Sequence, residues 1–233
     1  MPTPPTRTGC MRILVVDDHP ILVEGLTASI NSQHDLEVCG SAASAREALQ
    51  AVAELKPDLV VADISLHDSH GIDLTKDLVA QHPGLPVLVL STHDETLYAE
   101  RVLRAGAKGY VMKREPMPKL LEAIRKVAHG GLYFSEATTA RMLNRLCISR
   151  NGQQKLPVDC LSDRELVILE FIGRGRRTRE IAQDLHISIK TVQAHREHIK
   201  EKLQLHDALS LTRFAVNWVE SGGGPAGSAE EQD

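Results

Sequence analysis

Aromatic residues are scarce in this chain: Phe, Tyr and Trp together make up 3% of its 233 residues. Any core must therefore be built from Leu, Val, Ile and Ala, and the 42% hydrophobic content supplies enough of them to exclude a disordered protein. Cysteine is scarce too. Cys10, Cys39, Cys147 and Cys160 form no CxxC pair and no metal-ligand spacing, which argues against a disulfide scaffold or a zinc ribbon and fits free thiols in a reducing cytoplasm. No apolar run approaches the ~20 residues of a membrane helix. The opening stretch MPTPPTRTGC has Pro and Thr but no apolar h-region, so it reads as a disordered arm over residues 1–10 and not as a signal peptide. The expected location is the cytoplasm, with no membrane partner.

Charge is unevenly spread. Residues 11–134 carry 12 Lys/Arg against 17 Asp/Glu, a net of −5, whereas residues 161–219 carry 10 against 8, a net of +2. The basic residues of the second stretch concentrate between Arg174 and Lys202. A polyanionic partner is plausible for that part alone.

Short apolar stretches at 12–16, 36–40, 59–62, 87–90 and 109–112 alternate with helical patterns at 20–32, 44–55, 71–81, 95–105 and 117–129. Near-continuous Val/Leu/Ile strands between helices are the mark of a parallel sheet covered on both faces. Five such units predict a doubly wound α/β domain over residues 11–130, closed by Gly130-Gly131. Residues 131–157 read as a linker with a short helix at 136–146 and a polar stretch at 149–157. Beyond it only helical periodicity remains, at 163–173, 179–185, 189–203 and 208–220, predicting a small all-α domain over 158–220. The Gly/Ser-rich acidic stretch 221–233 reads as a disordered tail.

In a doubly wound sheet, ligands sit beyond the carboxyl ends of the strands. Asp17 and Asp18 follow the first strand and Asp63 the third, two strands that lie side by side in such a fold. Carboxylates packed together repel unless a cation joins them, and an all-oxygen set with room for a phosphoryl oxygen suits Mg²⁺. Ser91 ends the fourth strand and Lys113 the fifth, a hydroxyl and an ammonium suited to the other phosphoryl oxygens. Asp63 is then the nucleophile that becomes an aspartyl phosphate. Asp18 binds the metal directly, Asp17 through water, and the backbone carbonyl of Ser65 is a further ligand.

The runs ILVVDDHP, LVVADISLHDSHGIDL, LVLS and GAKGYVMK resemble the receiver domain of two-component response regulators over residues 11–130. The resemblance implies phosphorylation by a sensor histidine kinase, and it makes Tyr110 the aromatic whose exposure changes when the hydroxyl residue moves. Tyr110 can equally be a half-buried packing residue. The family's Met-Pro-Gly-like turn is replaced here by Ser69-His70-Gly71, and His67, Asp68 and His70 add titratable groups that either tune autodephosphorylation or are solvated loop residues.

In the C-terminal part, Ser162 and Glu165 form a capping box. Gly173 and Gly175 break that helix, Thr178 is the next cap, and Ser188 caps a third helix. Ile189, Val192, Ile199 and Leu203 give the third helix an apolar side, opposite Lys190, Gln193, Arg196 and Lys200. This is a helix-turn-helix arrangement whose second helix enters a major groove. Gln193 and Arg196 suit adenine and guanine edges, Lys190, Thr191 and Lys200 suit phosphates, and His195 either contacts DNA or packs within the domain. Glu197 stands against DNA binding unless it points away or accepts from a cytosine amino group. Leu211, Phe214, Ala215 and Trp218 stripe the last helix and serve homodimerisation or core packing. LSDRELVILEFIGRGRRTREIAQDLHISIKTVQAHREHIKEKLQL is similar to the LuxR-type DNA-binding domain, and the whole chain resembles the NarL/FixJ subfamily of response regulators. That resemblance implies a homodimer on promoter DNA, a recognition helix occluded until Asp63 is phosphorylated, and no enzymatic turnover beyond slow autodephosphorylation. Two other readings are a phosphorylation-independent DNA-binding regulator whose receiver only dimerises, and a phosphatase or phosphotransferase with an aspartyl-phosphate intermediate. A histidine kinase is disfavoured, because no glycine-rich nucleotide motif accompanies the eleven histidines.

Overall fold

The computed structural model describes residues 9–66, 71–148 and 156–223, and side chains throughout these except 144–148. The expected arm up to residue 8, the loop His67–His70, most of the polar linker, the side chain of Cys147 and the tail from residue 224 lie outside the described residues. The chain divides into two compact units, Met1–Ser135 and Glu136–Asp233. Among the described residues, no helix is long and apolar enough to cross a membrane.

The first unit runs β1 (Met11–Val16), α1 (Pro20–Asn31), β2 (Leu36–Ala42), α2 (Ala45–Leu55), β3 (Leu59–Ala62), α3 (Gly71–Gln81), β4 (Val87–Ser91), α4 (Glu95–Arg104), β5 (Gly109–Met112) and α5 (Met117–Ala128). All five strands are parallel, in the order β2-β1-β3-β4-β5. This is the doubly wound sheet that the alternating pattern predicts. Successive residues of a strand face opposite sides, and here both sides are buried. Ile13, Val15, Leu59, Val61, Leu88 and Leu90 pack against Leu26 and Ile30 of α1 and Leu120 and Ile124 of α5. Their neighbours Leu14, Val16, Val60 and Val89 are equally buried. Helix starts follow local chemistry: Pro20 opens α1, Ser44 Oγ accepts the Glu47 N–H, and Asp94 accepts from Thr96. A register shift between Ile13 and Leu14 lets β2 run on to Ala42, two residues further than its apolar pattern suggests.

Gly130 makes a turn (φ +82°) and does not end the unit. Tyr133 returns beside β5, where Tyr110 N–H donates to the Tyr133 carbonyl (2.8 Å) and Tyr133 N–H to the Lys108 carbonyl (2.9 Å). Ser135 N–H then donates to buried Glu95 (2.8 Å). Residues 131–135, read above as linker, therefore cover part of the open β5 edge, whose unpaired backbone groups need partners.

The second unit holds α6 (Glu136–Ile148), a 3-10 turn at Pro157–Cys160, α7 (Asp163–Gly173), α8 (Thr178–Asp184), α9 (Ile189–Leu203) and α10 (Ala208–Glu220). The capping box on α7 forms, with Ser162 Oγ accepting from Glu165 N–H (3.3 Å) and Glu165 Oε2 from Ser162 N–H (2.7 Å). Gly173 does not break α7. It is the last helical residue, and a Cβ there would lie 2.4 Å from the Ala215 carbonyl, so it lets α10 approach α7 closely. Gly175 (φ +75°) makes the turn, and Arg177, not Thr178, precedes α8, its N–H bonded to Glu180 (3.0 Å). His186 adopts a left-handed conformation (φ 51°) after α8 while Ile187 N–H closes back on Ala182, and Ser188 caps α9 by accepting from Thr191 N–H (3.0 Å). Leu211, Ala215 and Trp218 are buried, which assigns most of the α10 stripe to the core, with Phe214 half-buried.

Arg125 of α5 grips Asp35, the residue before β2, through two parallel bonds of 2.7 and 2.8 Å. Those bonds hold the Asp35 carboxyl at about 2. A carboxylate depressed in the fold contributes stability above its ordinary pKa of about 3.9 and loses it as pH falls toward the depressed value. Because the pair is part-exposed, Asp35→Asn should cost at most about 1 kcal/mol at pH 7. Urea unfolding at pH 7 and at pH 3 should show that cost shrinking at the lower pH.

Candidate functional site

The backbone ladder continues past the strand ends and assembles the site. Asp17 N–H donates to the Ala42 carbonyl of β2 (3.0 Å), Asp63 N–H to the Val16 carbonyl of β1 (2.9 Å), and Lys113 N–H to the Ser91 carbonyl of β4 (2.7 Å). Asp17 and Asp63 thus stand side by side where the chain reverses its direction across the sheet, the usual crevice of such folds. Lys113 Nζ lies 2.6 Å from Asp17 Oδ2 and 2.7 Å from Asp63 Oδ2, and all three side chains are at least 90% buried. Asp63 Oδ1 is buried and has no hydrogen-bond partner among the described residues.

Burial pushes the Asp63 carboxyl above the ordinary range; Lys113 pulls the other way and Asp17 adds to the rise. Burial alone would lower the Lys113 pKa, but Asp63 and Asp17 raise it on balance. Ligand atoms of Asp17, Asp18, His19 and Asp63 all lie within 4.8 Å of one another. One ammonium against three carboxylates leaves negative charge that a divalent cation would balance, and the clustered oxygens are the hard donors Mg²⁺ prefers. The residues present fit that ion.

Ser91 is fully buried at the end of β4, and its Oγ accepts the His93 N–H (3.2 Å). Tyr110 is buried, not half-buried, with its hydroxyl donating to the His93 carbonyl (2.9 Å). Ser65 Oγ meets His93 Nε2 at 2.8 Å. Two site neighbours escaped the sequence reading. His93 was hidden because its importance comes from a loop that folds back onto Ser65. His19 sits beside the acidic pair in the sequence, and its Nδ1 spans Asp17 (3.0 Å) and Asp18 (2.9 Å). Gly71 earns its place by space: its N–H donates to the Ile64 carbonyl (2.7 Å), and a Cβ would fall 1.9 Å from the Asp63 carbonyl oxygen.

On α9, Val192 and Ile199 are buried and Leu203 partly so, but Ile189 is 46% exposed and does not belong to the apolar side. Lys190, Thr191 and Gln193 are exposed, and Arg196 and Lys200 part-exposed. Glu197 pairs with Lys200 (2.8 Å), which offsets its repulsion toward a polyanion and also occupies that lysine. The structure sets His195 apart from this face. It is half-buried beside Glu165 of α7, with its Nδ1 enclosed. Arg176, Arg177 and Arg179 add an exposed basic cluster at the start of α8, which the charge count signals without singling out residues.

Raising the pKa of Asp63 in the fold means that its ionisation costs stability as pH rises through the ordinary carboxylate range, and the cost persists at neutral pH. Without divalent cations, Asp63→Asn should therefore raise the melting temperature at pH 7, by roughly 2–8 °C for a domain of this size. Added Mg²⁺ should stabilise the wild type more than the variant. Thermal melts with and without Mg²⁺ test this; a lower melting point for the Mg²⁺-free variant would contradict it.

Comparison with known proteins gives the same two-part picture. Residues 13–125 match the response regulator receiver domain, and residues 159–215 match the luxR family of bacterial regulatory proteins. The oxygen regulatory protein NreC of Staphylococcus carnosus is 36% identical over 211 residues, which cover 88% of this chain and 97% of that protein. Its Staphylococcus aureus counterpart is 37% identical over the same coverage. A LuxR-family two-component response regulator from Aurantimonas is 30% identical, covering 60% of this chain and 99% of that one at a TM-score of 0.55. RcsB of Salmonella typhimurium shares the fold at 22% identity over 89% of this chain and 98% of that one, with a TM-score of 0.60. With both domains present in one chain, and with more than a third of the residues shared along nearly the whole of NreC, the chain belongs to the NarL/FixJ-type response regulators, transcription regulators that join a receiver to a LuxR-type DNA-binding domain.

Proposed function

We propose that Asp63 is the phosphoacceptor and that its phosphorylation, by the phosphohistidine of a sensor histidine kinase, controls binding of a homodimer to promoter DNA. The carrying observation is the asymmetry of the Asp63 carboxylate: Lys113 holds Oδ2, while Oδ1 is buried and without a partner among the described residues. Oδ1 is then the attacking oxygen. It forms the new P–O bond as the P–N bond to the kinase histidine breaks, and the electron pair returns to the imidazole, which takes up a proton. Asp17, Asp18, Asp63 and the Ser65 carbonyl would hold Mg²⁺, which supplies positive charge against the carboxylates and the incoming phosphoryl group. Lys113 and Ser91 hold the phosphoryl oxygens of the product. Ser91, His93 and Tyr110 are bonded in series, so a shift of Ser91 toward a phosphoryl group would be felt at Tyr110. On this reading residues 11–135 receive the signal, 136–157 carry it, and 158–220 bind DNA.

RcsB, which has this fold, is seen on promoter DNA in the presence of the phosphomimetic BeF3⁻ and as pairs of dimers on DNA. Here exposed Lys190 and Thr191 would meet phosphates, together with Lys200, while Gln193 and Arg196 would reach base edges. The metal-dependent reaction is tested with acetyl phosphate and Mg²⁺: the wild type should gain one phosphoryl group and Asp63→Asn none. With DNA selected from random sequence, BeF3⁻ should raise wild-type affinity at least tenfold and leave Asp63→Asn unchanged; equal affinities throughout would sink the proposal. Gln193→Ala should cost about 1–3 kcal/mol and relax the selected sequence, whereas Lys190→Ala should weaken all sequences alike and lower the salt slope by about one. Repeated selections and salt titrations separate the two effects.

A further inference from the structure

A second group of metal-ligating side chains lies in the other unit. It joins Glu165, in the first turn of α7, to His195 and His198 of α9, and one ligand atom from each lies within 4.8 Å of the other two. His195 and His198 are three residues apart on one helix, so they share a side, and their rings meet edge-on with centroids 6.4 Å apart. Glu165 is 3% exposed. Its bonds from Ser162 N–H and from Lys202 Nζ, both 2.7 Å, end on Oε2 and leave Oε1 for another partner.

His195 is the least satisfied of the three. Its Nδ1 is buried and makes no hydrogen bond among the described residues. A buried imidazole nitrogen without a partner is costly, and metal ligation is one bond it can make. His198 is exposed and leaves the cluster open to solvent on its side.

We propose that Glu165, His195 and His198 bind a borderline divalent transition-metal ion, with Zn²⁺ as the reference, and that this ion ties α9 to the start of α7. Two imidazoles and a carboxylate form a donor set that favours zinc over Mg²⁺ or Ca²⁺, with a fourth position left for water. Ligand atoms around tetrahedral zinc are about 3.3 Å apart for bonds of about 2.0–2.1 Å, so the cluster needs only a small closure, which exposed His198 can provide. The Lys202 ammonium opposes the ion and limits its affinity. When bound, the metal holds His195 on the α7 side of the helix that carries Lys190, Gln193 and Arg196, and stabilises the second unit.

The test is a Zn²⁺ titration of the full chain in saturating Mg²⁺, read by competition with a chromogenic chelator and by histidine-ring nitrogen spectra. One Zn²⁺ should bind with ring signals of His195 and His198 shifting and that of His19 unmoved, and it should raise the melting temperature. His198→Ala removes an exposed side chain and should keep the helical circular dichroism, yet weaken Zn²⁺ binding at least tenfold and abolish the thermal gain. His195→Gln should weaken it similarly. Unchanged binding in His198→Ala, still rings at His195 and His198, or no Zn²⁺ uptake would each overturn the proposal.

Discussion

Lys113 shares one ammonium between Asp17 and Asp63, and the receiver half of the protein is organised around that shared bond. Three carboxylates at the ends of two adjacent strands cannot be buried together on electrostatic grounds without a counter-charge. Lys113 supplies part of it from the far side of the sheet, reaching back over β4 from the end of β5. The parallel order β2-β1-β3-β4-β5 is what permits this, because it places every strand's carboxyl end on the same edge. Burial raises the Asp63 pKa and Asp17 adds to the rise, the charge that Lys113 leaves unbalanced invites a divalent cation, and Oδ1 of Asp63 has no hydrogen-bond partner among the described residues.

The second unit solves a different problem, that of holding a polar helix still. Only Val192 and Ile199 of α9 are buried, so its own apolar side gives it modest anchorage. Glu165 adds to it, capping α7 and also receiving Lys202 from the end of α9. That one buried carboxylate therefore joins helix start to helix end, and His195 stands next to it. Behind them α10 closes on α7 through the space left at Gly173. Exposed groups on α9 are consequently displayed from a helix whose position is set by buried contacts.

Much of this is legible in the amino-acid order. Strands buried on both faces appear as unbroken Val/Leu/Ile runs, and helices such as 163–173 and 189–203 carry their own period and caps. Where the reading slips, a long-range contact has overruled a local signal. Gly173 looks like a breaker, but a glycine at a helix end also serves close packing, and only the neighbouring helix tells the two apart. Gly130-Gly131 looks like a boundary, yet Tyr133 is drawn back by the unpaired edge of β5. Ile189 follows the apolar period of α9 but falls at its first turn, beyond the reach of the core.

The sequence alone determined that Asp17, Asp18, Asp63, Ser91 and Lys113 fall at the ends of recognisable strands, because strand alternation is a local property of the chain; that Lys113 shares its ammonium between Asp17 and Asp63 came only from the structure. The sequence also determined that a basic, capped helix follows an acidic α/β domain. Tertiary structure alone decided which oxygen of Asp63 Lys113 occupies, that His19 and His93 border the site, and that His195 turns toward Glu165 and away from the exposed face. Those outcomes depend on side chains far apart in sequence sharing a low-dielectric space, where distance and burial set the energy and no periodicity records them.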